Sequence, residues 1–189
     1  MTRRSSVVPG TATFSACGTY RYTLTRWIKD GDSLEYINFV LLNPSTADAE
    51  QDDPTIRRCR GFAEAWGHYA LVVTNLFAYR ATDPRAMRAA DDPVGPENNH
   101  ILGHIAIGSS RTVVAWGNHG NHQGRAEKVL SFLPGPLWCL GITGQGQPKH
   151  PLYLARSTEL VPYPIPNFRR LIARDRLVGR IEAIMEDVD

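Results

Sequence analysis

The sequence predicts an α/β domain of three layers, in which helices cover both faces of a central sheet of four parallel strands. Four apolar runs carry this prediction, because each is rich in β-prone residues and ends abruptly in polar, turn-forming residues. With their turns, the runs occupy positions 37–48, 70–84, 111–124 and 137–154. Short apolar runs separated by helix-like segments are typical of parallel strands that are buried on both faces.

Length and composition agree with a single domain over 1–189. The chain has 189 residues, of which 42% are hydrophobic and 21% are charged, so it can bury a core of its own. Its formal net charge of +2 is too small to indicate nucleic-acid binding by itself. Residues 1–10 lack the apolar core of a signal peptide, and no run is long enough to span a membrane. We therefore expect a cytoplasmic monomer without a membrane partner.

The first half of the chain predicts strands and then a helix. Residues 11–42 alternate β-rich runs with turn residues, which predicts an N-terminal antiparallel meander that extends one edge of the sheet. Asp53 and Pro54 supply an N-cap and a first-turn proline for a helix that continues to about Trp66. A strand over 70–74 follows directly.

The second half alternates helices with the remaining strands. Asp83 and Pro84 predict a short helix over 84–90, and a further helix runs from Pro96 to about Gly108. A helix over 124–133 separates the last two apolar runs. The amphipathic segment 167–187 predicts a C-terminal helix.

The spacing of cysteines and histidines argues against a metal site. Cys17, Cys59 and Cys139 lie far apart and predict buried, reduced thiols. His119 and His122 are two potential ligands, but no third ligand is fixed near them by spacing. We therefore expect no metal and no cofactor.

Polar side chains follow the ends of the predicted strands. The carboxyl ends of parallel strands meet at one edge of the sheet, and ligands of open α/β sheets bind there. We expect the following residues to converge on this rim: Asn43, Asn75, Trp116, Gly117, Lys149 and His150.

Each candidate allows a structural and a functional interpretation. Asn43, followed by Pro44 and Ser45, either forms an Asx-type turn or positions a water or a substrate. Asn75 would be buried, so its amide either ties down a loop or pairs with the edge of a nucleobase. A lone histidine is usually structural, but His150 stands beyond a central strand, where it could act as an acid or charge donor.

Basic and aromatic residues near the rim are candidates for nucleic-acid contacts. Lys149, Arg80, Arg57 and Arg58 lie on or beside loops that begin at strand ends, and we expect them to contact phosphates. The arginines of the first helix are also explained by a solvated face. Phe62 is either a core residue or a stacking platform for a base.

Several motifs resemble those of known proteins. LNPSTAD, DDPTIRRCRGFAEAWG, NLFAYRATDP, PVGP, VVAWGNHG and CLGITGQGQPKHPLYL resemble a bacterial family catalogued as domain of unknown function 1643, over nearly the whole chain. The order of the motifs is also similar to that of the uracil-DNA glycosylase superfamily, whose fold is a parallel four-stranded sheet flanked by helices.

The glycosylase resemblance implies roles for particular residues. Asn43 with Pro44 resembles the first motif, whose asparagine positions the attacking water. Asn75 matches the asparagine that reads the base edge, and Phe62 matches the phenylalanine that stacks on the base. His150 resembles the histidine that stabilises charge on the leaving base.

The resemblance also has departures. Leu41 stands where the superfamily has a glycine, and no serine follows His150 and Pro151. The segment between Asn43 and Phe62 is longer than in the superfamily.

The function implied by the resemblance is that of a DNA glycosylase-like protein, which takes a flipped base into a pocket and hydrolyses its N-glycosidic bond without a metal. DNA or a nucleotide is then the expected partner. Leu41 favours one alternative, a non-catalytic module that binds nucleotides or nucleic acid. The weak net charge favours another, a hydrolase of free nucleosides or nucleotides. Leu152 and Tyr153 are candidates for a wedge into duplex DNA.

Overall fold

The computed structural model describes residues 10–31, 33–45, 47–48 and 50–164. Within these ranges seven strands form one sheet: β1 (Gly10–Phe14), β2 (Arg21–Trp27), β3 (Tyr36–Leu41), β4 (Ala70–Asn75), β5 (Arg111–Val114), β6 (Leu137–Cys139) and β7 (Val161–Pro162). The helices are α1 (Pro54–Ala65), α2 (Pro84–Arg88), α3 (Asn98–Gly108) and α4 (Arg125–Phe132). Two short 3-10 segments cover Asn118–Gly124 and Pro151–Tyr153. The protein is therefore of the mixed α/β class.

The sheet is larger than the sequence predicts and has mixed directions. Its strand order is β1-β2-β4-β3-β5-β6-β7. The four neighbours β4, β3, β5 and β6 run parallel to one another, as predicted for the apolar runs. The pairs β1–β2, β2–β4 and β6–β7 are antiparallel. The parallel strands thus form the centre of a seven-stranded sheet.

The predicted N-terminal meander over 11–42 is wrong in one respect. β1 and β2 form an antiparallel pair, but β4 separates β2 from β3. β3 is buried on both faces, with Phe39 fully buried on one face and Val40 on the other, and such a strand is most stable in the centre of a sheet. It therefore lies between two parallel neighbours instead of closing a meander.

Helices cover both faces of the sheet. Ile56, Cys59 and Phe62 of α1 pack on one face against Phe39 and neighbouring strand residues. On the opposite face, α2, α3 and α4 contribute residues such as Met87, Leu102 and Val129 to a second core. The expected three layers are thus present in the described part of the chain.

The four helices predicted within the described residues are present, and the caps predicted for α1 and α2 are confirmed. The Oδ1 atom of Asp53 accepts a hydrogen bond from the N–H of Ile56 at 2.8 Å, and Asp83 caps α2 through the N–H of Arg85 at 2.8 Å. The helix predicted over 167–187 lies outside the described residues. None of the described helices combines the length and the apolar character that a membrane span requires.

The three cysteines carry free thiols, but they differ in exposure. Cys59 and Cys139 are buried as expected, whereas Cys17 is exposed in the turn between β1 and β2. The expectation of three buried thiols is therefore wrong for Cys17, because this turn projects from the sheet edge.

Candidate functional site

A cavity of about 550 Å³ opens where β3 and β4 end, beside the amino end of α1. Its size is in the range that small-molecule sites occupy. Its lining includes Arg21, Leu41, Asn43, Ser45, Asp53, Asn75, Trp116, Gly117, His119, His150, Leu152 and Tyr153. The predicted site residues Asn43, Ser45, Asn75 and His150 are thus brought to one place from three segments of the chain. Their roles remain predictions.

Asn43 uses one half of its amide to hold the rim together. Its Nδ2 atom donates to the carbonyl oxygens of Ala81 at 2.7 Å and Pro44 at 3.1 Å. The Ala81 N–H also donates to Pro44 O at 2.9 Å, so two loops are joined at this point. Oδ1 has no hydrogen bond with the described residues. The acceptor half of the amide is therefore available to a water or a ligand.

Asn75 ends β4 and is only 1% exposed. Neither Oδ1 nor Nδ2 of its amide has a hydrogen-bond partner among the described residues. A buried amide in this condition costs about 1–3 kcal/mol, so such groups are rare unless a ligand satisfies them. The side chain offers a donor and an acceptor side by side, which matches the edge of a nucleobase.

The backbone at Asn75 is held from the opposite face of the sheet. Asn98 of α3 donates through Nδ2 to Asn75 O at 3.1 Å and to Leu76 O at 3.0 Å. The Nε atom of Arg125 also donates to Leu76 O, at 2.6 Å. Two helices therefore fix the end of β4 while its last side chain lines the cavity.

A glycine-rich loop brings His150 to the rim. The N–H of Gly117 donates to Pro148 O at 2.9 Å, and a side chain on Gly117 is disfavoured because its φ is 73°. The N–H of Leu152 donates to His150 Nδ1 at 3.4 Å, which leaves the ring proton of a neutral imidazole on Nε2. Burial lowers the pKa of His150, and the nearby charge of Asp53 opposes this effect only in part. His150 is thus a neutral hydrogen-bond donor at pH 7.

Arg21 and Asp53 line the cavity, and both were missed as site residues. Asp53 caps α1 as the sequence predicts, but among the described residues it is also the carboxylate that lines the cavity. Arg21 is 2% exposed, and the sequence contains no signal for it because a strand arginine is usually a surface residue.

Four other predicted residues lie away from the cavity lining. Phe62 is in the core and stacks on Trp66, with ring centroids 5.2 Å apart. Arg58 lies over the Phe62 ring and donates to Leu154 O. Arg57 donates to Asp52 O, and Lys149 is exposed. The aromatic residues that line the cavity are Trp116, which is buried, and Tyr153, which is 88% exposed.

Arg80 lies in an adjoining depression of about 400 Å³. This depression shares Ser45, Ala81 and Thr82 with the main cavity, so the two lie side by side. The Nη1 atom of Arg80 donates to Gly18 O at 3.1 Å, and its side chain is exposed. Pro44, the remaining predicted residue, contributes its carbonyl to the junction with Ala81.

No metal centre is found in the described ranges of the chain, where no three histidine, cysteine, aspartate or glutamate side chains lie close enough to share an ion. His119 instead lies 3.3 Å from Arg88, measured between Nδ1 and Nη1.

A family model matches residues 21–152, and the chain belongs to this family, described as proteins of unknown function (DUF1643). The matched range extends from the first residue of β2 to Leu152, so it includes Arg21, Asn43, Asn75 and His150. No curated protein and no solved structure matches the chain.

Proposed function

We propose that the cavity binds a flipped nucleobase and that the protein hydrolyses the N-glycosidic bond between this base and the deoxyribose of DNA. The observation that carries the proposal is the buried amide of Asn75, whose donor and acceptor have no protein partner at the cavity. A base edge satisfies both atoms, and the energy lost on burying the amide is recovered on binding.

The other lining residues suit the remaining steps. As the bond from C1′ to the base nitrogen breaks, its electron pair moves to the base, and the neutral His150 donates a hydrogen bond from Nε2 to the developing anion. Asn43 Oδ1 accepts a hydrogen bond from the water that bonds to C1′. The proton that this water releases passes to the Asp53 carboxylate. These roles need no metal.

Aromatic groups at the cavity support recognition of a flipped base. Trp116 replaces Phe62 as the candidate for stacking, because both rings are buried but only Trp116 lines the cavity. Tyr153 is highly exposed on the 3-10 segment that follows His150. With Leu152, it would fill the gap that the flipped base leaves in a duplex.

Strand scission tests the proposal directly. Oligonucleotides with uracil, mismatched thymine, hypoxanthine, hydroxymethylated or glucosylated bases are incubated with the protein and cleaved by alkali at abasic sites. We expect scission with at least one base and a loss of about 100- to 1,000-fold in His150→Ala, since one donor to a developing anion is removed. His104→Ala, on the exposed side of α3, is the matched control. The absence of scission on every base would refute the enzymatic proposal.

A non-catalytic binding module is the second candidate, and Leu41 favours it. This side chain lines the cavity at a position where the glycosylase resemblance has glycine, so it narrows the space for the sugar or the water. If the protein is such a module, Asn75→Ala weakens base binding. The wild type then shows no strand scission, and neither do His150→Ala and Asn43→Ala. Release of base from free nucleosides, measured by chromatography, would instead indicate a small-molecule hydrolase.

A further inference from the structure

Arg21 is a second buried polar group at the cavity that the protein leaves largely unpartnered. It is 2% exposed, and its Nη1 atom donates to the carbonyl oxygen of Ala47. Its Nε atom is buried without a hydrogen bond to the described residues. The ion pairs of the described residues do not include Arg21. A buried guanidinium without a carboxylate is strongly disfavoured, so its presence at a cavity indicates an anionic ligand.

A second arginine on the same strand has its buried guanidinium satisfied within the protein. Arg26 is also 2% exposed, but its Nε atom contacts Asp52 Oδ1 at 2.7 Å. Its Nη2 atom donates to the carbonyl oxygens of Asp48 and Gln51. Arg26 is therefore a structural residue paired with a carboxylate of the protein. Arg21 has no such carboxylate partner among the described residues and faces the cavity instead.

The surroundings of Arg21 leave its charge only partly balanced. Asp53 is close enough to raise the pKa of Arg21, but burial dominates and lowers it to about 10, so the side chain stays charged at neutral pH. Arg80 adds a second positive charge nearby, in the adjoining depression. Thr55 and Ile56, at the amino end of α1, also line the cavity, and a helix amino end favours anions.

Arg21 and Asn75 lie at the same end of the sheet on adjacent strands. β2 and β4 are antiparallel, with Leu24 opposite Val73, so the start of β2 and the end of β4 lie at the same end of this strand pair, and the N–H of Arg21 donates to Ala78 O, three residues beyond Asn75, at 3.0 Å. Both side chains line one cavity of about 550 Å³. One small ligand can therefore contact the guanidinium and the amide together.

We propose that Arg21 is the anion-binding residue of this cavity and that the ligand is a nucleoside phosphate, with its phosphate on Arg21 and its base on Asn75. The base assignment rests on the proposed function, whereas the phosphate assignment rests on Arg21 alone. The phosphate belongs either to a free mononucleotide or to the backbone of a DNA strand. Guanidinium geometry suits both sources, because its parallel N–H groups match two phosphate oxygens.

Calorimetric titration of the full chain tests the proposal. The probes are the 2′-deoxynucleoside 5′-monophosphates, the matching nucleosides, inorganic phosphate and single-stranded oligonucleotides, all at one ionic strength. We expect at least one monophosphate to bind the wild type about 10- to 100-fold more tightly than its nucleoside, as one charged hydrogen-bonded contact provides. In Arg21→Gln this ratio should fall to about 1, and Arg21→Lys should keep part of it. Arg111→Gln, at the opposite end of the sheet, is the charge-matched control and keeps the full ratio.

Three results would overturn the proposal. The first is a ratio near 1 in the wild type, and the second is an unchanged ratio in Arg21→Gln. The third is a loss of stability in Arg21→Gln as large as that in Arg26→Gln, which would make Arg21 a structural residue. We expect urea denaturation to give Arg21→Gln a stability equal to or above that of the wild type, and Arg26→Gln a lower one.

The same titrations identify the source of the phosphate and separate the two proposals. Oligonucleotides that bind more tightly than monophosphates, with both weakened in Arg21→Gln, indicate a backbone phosphate, and binding of monophosphates alone indicates a free nucleotide. A phosphate preference without strand scission supports the role of Arg21 and refutes the glycosylase. Strand scission without any phosphate preference supports the glycosylase and refutes the role of Arg21.

Discussion

Two residues at the rim have buried polar groups that lower the stability of the unliganded protein. Asn75 and Arg21 are buried without full hydrogen bonding, and both atoms of the Asn75 amide lack a partner, whereas Asn38 in the sheet has one of its two amide atoms bonded, by Thr74 at 3.0 Å. The position of Asn75 could be predicted, because a polar residue that ends an apolar strand is visible in the sequence. The isolation of Arg21 could not, since it depends on which distant carboxylates reach β2, and only Arg26 obtains one.

Replacement of Asn75 by leucine should stabilise the unliganded protein. The change removes two buried groups that lack partners, so we expect the free energy of unfolding to rise by about 1 kcal/mol while ligand binding is lost. Urea denaturation measures the effect. Asn98→Leu is the matched control and should destabilise the protein, because it removes two hydrogen bonds to the end of β4. A lower stability in Asn75→Leu would show that its amide is satisfied within the protein.

At the scale of elements, the helices and central strands could be predicted, but not all strand neighbours. Asp53-Pro54 and Asp83-Pro84 are local signals, and both mark helix starts as predicted. The pairing of β2 with β4 depends instead on contacts between residues that are far apart in the chain. Phe62 shows the same limit, because its place on the core side of α1 depends on how the helix packs against the sheet.

The amino end of α1 combines a cap with a site residue, and two substitutions of Asp53 separate these roles. Asparagine caps helices as well as aspartate does, so Asp53→Asn loses only the charge that partly balances Arg21, and it should lower the free energy of unfolding by less than Asp53→Ala does. Asp53→Ala should lower it by about 1 kcal/mol. Thermal and urea denaturation check both effects. If Asp53 accepts the water proton, strand scission is lost in both variants. Scission at the wild-type rate in Asp53→Asn would instead show that Asp53 serves only as a helix cap.

For the molecule as a whole, two histidines at opposite ends of the sheet link stability to pH. Burial lowers the pKa of His68, which precedes β4, although the charge of Glu35 opposes it, and burial also lowers the pKa of His150. Because both pKa values lie below about 6.5, the usual value in an unfolded chain, the unfolded state binds more protons in this range. Stability is therefore complete above that value and decreases as the pH falls towards the folded-state pKa values.

Urea denaturation at a series of pH values between about 5 and 8 checks this dependence. His68→Gln and His150→Gln should each flatten the curve, and His104→Gln, which alters an exposed side chain, should leave its shape unchanged. A stability that rises as the pH falls below about 6.5 would contradict the direction given for both groups.

The position of β4 between β2 and β3 also determines when the strands can pair during synthesis. β3 leaves the ribosome before its two neighbours, β4 and β5, have been made, so both of its edges are unpaired for a time. The β1–β2 pair likewise waits for β4 before it can join the sheet. Long-range pairing of this kind slows folding and exposes apolar strands to aggregation. At least one edge of β3 therefore stays unpaired until β5 emerges, and the cavity is complete only after His150 has been added.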